Sequence, residues 1–350
     1  MIKAVLDNEI LQQIVDIEKN KSILEITNIP INLSNRFRKN TKKMSSYASN
    51  KIEGNPTPYE HVESIVHGKT KHLLKPEQEI KNYYDALEFL EKELSNKTKV
   101  SLDLILEVQK RIVAGESKEK VGLRGQMPPG FLFAVYDSVT REAEYIPPEY
   151  VDVEPLLNEL INYLNTTNDH PLIQVAILHY QLVTIHPFED GNGRTARIMS
   201  NYLLEYYGYG FKNIGSLEEY FSYDIDDYYN SIQMGLPALY YKGRNNPPHP
   251  EIWLKYFLKV FSIYANKVVS IAKKSIKEQK NEGYDLLSSK AKKFLEYLKD
   301  NDIKKIIPVE IAQDMGVSNR TIINWCVELA NQGYLKPNIV NKRIRSYTVI

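Results

Sequence analysis

The chain of 350 residues has one cysteine, Cys326, so no disulfide can form within it and crosslinking is excluded as a source of its stability. It has almost no charge imbalance. The 45 Lys and Arg stand against 44 Asp and Glu, and a formal net charge of +1 removes any global pull towards nucleic acid while leaving room for a local patch. Long apolar runs are missing too, since none approaches the roughly 20 residues that a membrane-spanning helix needs. The first twenty residues, MIKAVLDNEILQQIVDIEKN, mix charge too freely for a signal peptide. Internal repeats and low-complexity tracts are absent. These absences make a cytoplasmic protein with no membrane contact the expectation. What is present is ordinary globular composition, 43% hydrophobic with 17 Pro and 16 Gly, at a length that suits two or three domains.

Most of the chain has helical periodicity. In SLDLILEVQKRIV (101–113), Leu102, Ile105, Leu106, Gln109 and Ile112 recur at helical spacing. DVEPLLNELINYLN (152–165) does the same behind Asp152, a candidate N-cap. PLIQVAILHYQLVTI (171–185) is apolar on nearly every face, which predicts a centrally buried helix. Residues 122–150, GLRGQMPPGFLFAVYDSVTREAEYIPPEY, break the pattern. Gly and Pro punctuate them, and FLFAVYD and EAEYIP flank the polar turn DSVTR, so a β-hairpin is expected there. Helical character resumes over 211–262, and a basic connector helix is expected over 266–285.

The densest chemistry lies in residues 186–197, HPFEDGNGRTAR. His186 precedes Pro187, which pushes it out of the α region and should stop the preceding helix there. The glycine-flanked turn Gly191–Asn192–Gly193 then opens a new helix, and a helix opening of this kind exposes backbone N–H groups that bind anions, phosphate above all. Arg194 and Arg197 share one face of its first turn. Cations there are unfavourable by about 0.3–1 kcal/mol each unless an anion is bound. Asp190 is the hard oxygen donor that a phosphate-bound Mg²⁺ prefers. His186 can accept a proton near neutrality. GNGRTA also fits the loose dinucleotide fingerprint, but a helix-length run precedes it where that fold needs a strand, and no Walker loop occurs in the chain.

This string resembles the signature of the Fic (Fic/Doc) family, H-P-F-x-[DE]-G-N-G-R-x-x-R, and matches it in full. The resemblance implies a mainly α fold: a Fic-type helical bundle with a β-hairpin flap, which transfers AMP from ATP to a hydroxyl side chain of a target protein. It implies His186 as the general base and Asp190 as the Mg²⁺ ligand. The backbone of Gly191, Asn192 and Gly193 would cradle the α-phosphate, with Arg194 and Arg197 on the β- and γ-phosphates. The hairpin, with GLR ahead of it and YIPP behind, is similar to the family's flap, which holds the target segment as an added strand. Tyr228 and Tyr229 resemble the aromatic pair near the adenine pocket, Tyr229 being the better match.

A second string, SNKIEG (49–54), reads alone as the end of a helix capped by Gly54, with an exposed Glu53 in the last turn. Beside the first string it resembles the inhibitory motif [ST]-x-x-x-E-[GN] of Fic proteins. The resemblance implies that Glu53, supported by Ser49, pairs with Arg197 and blocks the seating of the γ-phosphate. In some relatives the same glutamate positions water for AMP removal, and that alternative stays open here.

The last stretch has a different style. PVEIAQDMGVSNRTIINWCVELANQGYL reads as helix, turn and helix, followed by two β-prone runs, the layout of a small C-terminal winged helix. Residues 288–350 hold 11 Lys and Arg against 6 Asp and Glu, a net of +5 that is mild for a DNA binder. DNA contact through Asn319, Arg320 and Asn324, protein docking and homodimer formation are all compatible with it. The expected organisation is an N-terminal helical region (1–115) with its inhibitory helix at about 36–54, a Fic core (116–265), the connector (266–285) and the winged helix-turn-helix (286–350). Two further readings compete with AMP transfer. One is a DNA-binding regulator with a nucleotide-sensing core; the other is a Fic enzyme that removes AMP or transfers another phosphate-containing group.

Overall fold

The computed structural model describes residues 6–68, 72–136, 143–233, 249–301, 303–340 and 343–350. The chain divides into two compact units. One comprises residues up to Asn28 together with Ser34–Val269; the other comprises Ile29–Leu33 and Ser270–Ile350.

In the first unit the helices are α1 (Asn8–Ile26), α2 (Ile31–Ile52), α3 (Val62–His67), α4 (Lys75–Ser95) and α5 (Leu102–Ile112). The strands β1 (Val135–Tyr136) and β2 (Ala143–Tyr145) follow. Next come α6 (Tyr150–Thr166), α7 (Pro171–Ile185), α8 (Asn192–Tyr206), α9 (Leu217–Phe221), α10 (Ile225–Gln233) and α11 (Pro250–Leu286), with α2 up to Leu33 and α11 from Ser270 on grouped with the second unit. As the continuous apolar run predicts, α7 is the centre of the bundle, with every residue except Pro171 and Val183 buried. It packs along α8 and α6, and the Trp253 indole N–H from α11 donates to the Ala176 carbonyl at 2.7 Å. Asp152 is not the N-cap of α6. Glu149 takes that position and Asp152 falls in the first turn, where its charge still suits the helix dipole.

The hairpin is shorter than its β-prone runs. Val135 pairs with Tyr145 and Tyr136 with Ala143, antiparallel, while the DSVTR turn lies outside the described residues. So short a ladder is marginal by itself. Two side chains tie it down: the Tyr145 hydroxyl donates to the Thr184 carbonyl at 2.6 Å, and Arg124, at the root of the hairpin, is buried.

The residues of the expected connector lie inside α11, which continues without a break to Leu286. In the second unit α12 (Ser289–Asp300), β3 (Lys305–Ile306), α13 (Pro308–Asp314), α14 (Asn319–Asn331), β4 (Leu335–Val340) and β5 (Arg343–Val349) enclose a separate core. Phe294, Leu295, Ile322, Cys326 and Leu329 lie at its centre. The strands form an antiparallel sheet of order β3-β5-β4. Pro337, which has no N–H to give a ladder, sits on the edge strand β4. Burial pushes the Cys326 thiol up to about 12, so it acts as a small apolar core residue. Among the described residues, no helix is long and apolar enough to cross a membrane.

Candidate active site

The site forms where α7 ends and α8 begins. α7 stops at Ile185, and His186 leaves the right-handed region as a residue before proline should. It does not become extended. It takes the left-handed conformation (φ 49°, ψ 59°), which costs a non-glycine residue about 1–2 kcal/mol. Arg124 holds that turn. Its Nε donates to the His186 carbonyl at 2.8 Å, its guanidinium also reaches the carbonyls of Pro148 and Ile185, and its backbone N–H donates to the Pro187 carbonyl at 2.8 Å. The His186 Nδ1–H donates to the Val183 carbonyl at 3.2 Å, which fixes the tautomer and leaves the Nε2 lone pair free. Desolvation, with a smaller push from the Arg124 charge, lowers the His186 pKa to about 4, so the imidazole is a neutral base at pH 7.

The loop closes on itself. The Asn192 side chain donates to the Phe188 carbonyl at 2.8 Å and accepts from the Phe188 N–H at 2.9 Å. Gly191, at φ 83°, is the N-cap of α8, and a Cβ there would meet Ile112 Cγ2 at 3.1 Å, so any other residue is strained. Gln109, on the apolar stripe of α5, is fully buried and staples the loop to the hairpin root. Its amide N–H groups donate to the carbonyls of Lys120 (2.7 Å) and Asp190 (3.2 Å), and its oxygen accepts from the Gly122 N–H at 3.1 Å.

Asp190 lies beside this nest, with Oδ1 at 2.8 Å from Arg194 Nη2 and Oδ2 at 3.1 Å from Lys120 Nζ. Burial alone would raise its pKa; Arg194, Lys120 and the Gly191 N–H outweigh burial, and the net shift is downward. Among the described residues no group of three or more His, Cys, Asp and Glu is arranged to hold a metal. A single ionised carboxylate fits Mg²⁺, which keeps water and phosphate as its other ligands. Arg194 itself is buried, and its Nε has no hydrogen-bond partner. A buried, unsatisfied cationic donor at a helix N-terminus is a place for an anion.

One anion already reaches this region from within the chain. Glu53, just past the end of α2, puts Oε1 at 2.6 Å from Arg197 Nη2. A Cβ on Gly193 would lie only 2.3 Å from the same oxygen, so the carboxylate lies directly over the start of α8. Gly54 takes φ 79° behind it, the left-handed helix stop that its sequence position predicts. Ser49, one turn earlier and fully buried, accepts from Arg197 Nε at Oγ (2.9 Å) and from Nη2 at its carbonyl (3.0 Å). Burial would lower the Arg197 pKa, but Glu53 and the neighbouring tyrosines outweigh it and the net shift is upward.

His186, Asp190, the Gly191–Gly193 backbone, Arg194, Arg197, Ser49 and Glu53 therefore converge on one site, while the tyrosine pair splits. Tyr228 turns inward, 1% exposed, with its hydroxyl 2.8 Å from His179 Nε2 and 3.5 Å from Arg197 Nη1. Tyr229 remains 41% exposed beside it. Sequence reasoning missed the functional roles of Arg124, Gln109 and Lys120, and missed His179 altogether. Gln109 carried a signal, a polar residue within an apolar helical stripe, and Arg124 stood in the GLR marker.

Comparison with known proteins covers the same stretch of chain. Residues 99–204 match the family model described as the Fic/DOC family. Over those residues the chain carries a Fic/DOC family domain. It is similar to proteins named protein adenylyltransferase Fic from Nematostella vectensis (31% identity over 166 residues, 45% of this chain and 36% of the relative) and from Aedes aegypti (32% over 175 residues, 47% and 32%). The chain thus spans about a third of the length of these relatives. Two solved structures share the fold. A Fic family protein from Desulfovibrio desulfuricans G20 has a TM-score of 0.64 at 18% identity, covering 100% of this chain and 98% of that one. C. elegans Fic-1 (residues 134–508) has a TM-score of 0.60 at 22% identity, covering 76% and 73%.

Proposed function

We propose that this chain is a self-inhibited protein adenylyltransferase that moves AMP from ATP to a Ser, Thr or Tyr hydroxyl of a target protein or of itself. The observation that carries the reading is the Glu53–Arg197 pair at 2.6 Å, set beside a neutral, tautomer-fixed His186 at the mouth of a phosphate nest. The target hydroxyl oxygen attacks the α-phosphorus in line. Its proton passes to His186 Nε2, the bond from the α-phosphorus to the bridging oxygen breaks, and pyrophosphate leaves. The Gly191–Gly193 N–H groups at the start of α8 meet the α-phosphate charge, and Arg194 and Arg197 take the β- and γ-phosphates. Asp190 would hold Mg²⁺, which when bound supplies positive charge at the departing pyrophosphate. Tyr229 is the candidate for the adenine face, because Tyr228 is committed to the core.

The target docks along the β1–β2 hairpin as an added strand, with the exposed Phe131, Leu132 and Tyr136 gripping its side chains. In the second unit the exposed face of α14 pairs Arg320 and Asn324 with the apolar Ile323 and Val327, and that apolar pair favours a protein partner over a DNA groove. A gel shift at two salt concentrations tests this; salt-sensitive DNA binding would overturn it.

The deciding experiment for the activity is intact-mass analysis after incubating the Glu53→Gly protein with ATP and Mg²⁺. An added AMP mass, absent with His186→Ala, is the expected result. No added mass on the chain or on any protein of a cell extract, despite ATP binding, would overturn the reading.

A further inference from the structure

Arg197 has four hydrogen bonds, and Glu53 supplies the acceptor for only one of them. Two end on Ser49, at 2.9 Å on Oγ and 3.0 Å on the carbonyl. The fourth, to the Tyr228 hydroxyl, is long at 3.5 Å. The guanidinium, 1% exposed, is therefore held chiefly by a serine on the helix that also carries its blocker.

The hydrogens around Ser49 run in one direction. Glu218, 1% exposed, accepts from Tyr83 (2.8 Å), Asn201 (2.6 Å), Ser216 (2.8 Å) and Ser45 (3.1 Å). Tyr83 donates to Glu218, which leaves its own oxygen as an acceptor facing the Ser49 hydroxyl, with which it interacts. Arg197 Nε–H can only donate, so Ser49 Oγ presents a lone pair to it and its single hydrogen is left to turn toward Tyr83. A second ordered chain approaches from the other side. The Ser200 hydroxyl donates to the Ala196 carbonyl at 2.7 Å, so it accepts from His179 Nδ1–H at 3.0 Å. His179 Nε2 therefore accepts from Tyr228, whose oxygen faces Arg197. Both chains end as acceptors on the one buried cation.

We propose that Ser49 is a positioning residue for Arg197 in its phosphate-binding role, oriented by Tyr83 and Glu218, so that the inhibitory helix supplies part of the ATP site it closes. This rests on the reading of Arg197 as the γ-phosphate ligand. Glu53 and Ser49 then have opposite effects. Removing Glu53 frees one donor of an arginine that stays in place, whereas removing the Ser49 hydroxyl loosens the arginine itself.

The test uses the full chain in the Glu53→Gly background, measuring steady-state AMP transfer together with calorimetric binding of ATP and of AMP. Ser49→Ala raises the KM for ATP on the order of tenfold, the value of a hydrogen bond to a charged group, with little change in kcat and none in AMP affinity. Ser49→Thr, which keeps the hydroxyl, restores the KM. Tyr83→Phe gives a smaller rise of the same kind. If Ser49→Ala leaves the KM for ATP unchanged or lowered while Arg197→Ala raises it, Ser49 serves inhibition alone and the proposal is overturned. An equal loss of ATP and AMP affinity marks a general structural role and overturns it as well. If Arg197→Ala itself leaves the ratio of ATP to AMP affinity unchanged, the γ-phosphate reading falls first and the proposal falls with it.

Discussion

Two helix ends meet in this site, and each holds the wrong charge for its own dipole. The C-terminus of α2 carries Glu53, an anion at a negative end; the N-terminus of α8 carries Arg194 and Arg197, cations at a positive end. Each misplaced charge costs about 0.3–1 kcal/mol taken alone. Across the gap the costs offset each other, because Glu53 lies over the start of α8 and pairs with Arg197 at 2.6 Å. In the proposed function such a pair is an internal stand-in for a ligand. Asp190 already satisfies part of Arg194, so on the proposed reading Arg197 is the cation for which Glu53 and an incoming phosphate compete.

The largest effect expected comes from the one group that belongs to neither helix end. In the Glu53→Gly protein, His186→Ala lowers AMP transfer by about 10²–10⁴, the usual worth of a general base. Both helix ends remain intact, so ATP binding measured by calorimetry is unchanged; a parallel loss of ATP affinity would show that His186 supports the nest rather than the chemistry. Next in size is Glu53, the proposed brake. Glu53→Gly raises labelling from radioactive ATP on the order of tenfold or more, the worth of one charge-assisted hydrogen bond. Its effect on thermal stability is small, because the Glu53 side chain is 37% exposed and the pair is discounted for solvent. Equal labelling of the two proteins would break the comparison between the helix ends.

Much of this arrangement is legible in the sequence because it is local. The stop at His186, the glycine-flanked opening of α8, the shared face of Arg194 and Arg197 and the cap at Gly54 all depend on neighbours within a few positions. The buried run of α7 follows from its composition. What sequence reasoning could not supply is contact at long range. Arg124 meets His186 from 62 positions away, and Glu218 meets Tyr83 from 135. No periodicity marks such pairs. His179 lay inside a run read only as apolar, and its role depends on Tyr228 and Ser200, which arrive from other helices. The tyrosine pair shows the same limit, since adjacency along the chain says nothing about which ring is buried.

Arg124 gives the next smaller effect. It shapes the turn beneath the base and does not touch the two charged helix ends, so Arg124→Met separates the parts of the comparison. With the guanidinium gone, the carbonyls of Ile185, His186 and Pro148 lose their donor and the left-handed turn relaxes. The expected result is a fall in kcat of about tenfold, consistent with a small displacement of a base that must reach within hydrogen-bond distance. The KM for ATP stays steady. A rise in KM with kcat unchanged would assign Arg124 to the phosphate nest instead.

The smallest effect is a shift along the pH axis. An unperturbed histidine base would lose activity as pH falls through about 6.5. Desolvation lowers the His186 pKa to about 4, so the acid limb of kcat/KM in the Glu53→Gly protein lies nearer 4 than 6.5. Stability moves with the same sign. A folded-state pKa below the unfolded value means that, under pH 6.5, the unfolded chain takes up a proton that the folded one refuses. The contribution of His186 is therefore complete above 6.5 and is lost as pH falls from there towards 4. His179, pushed well below its ordinary value by burial and by Arg197, adds in the same direction. Thermal melts between pH 7.5 and 4.5 should show a steady fall in Tm, smaller in His186→Ala than in its parent. An identical slope in both proteins would mean that His186 titrates in the folded chain as it does in water, and that the site at the end of α7 is wetter than its geometry implies.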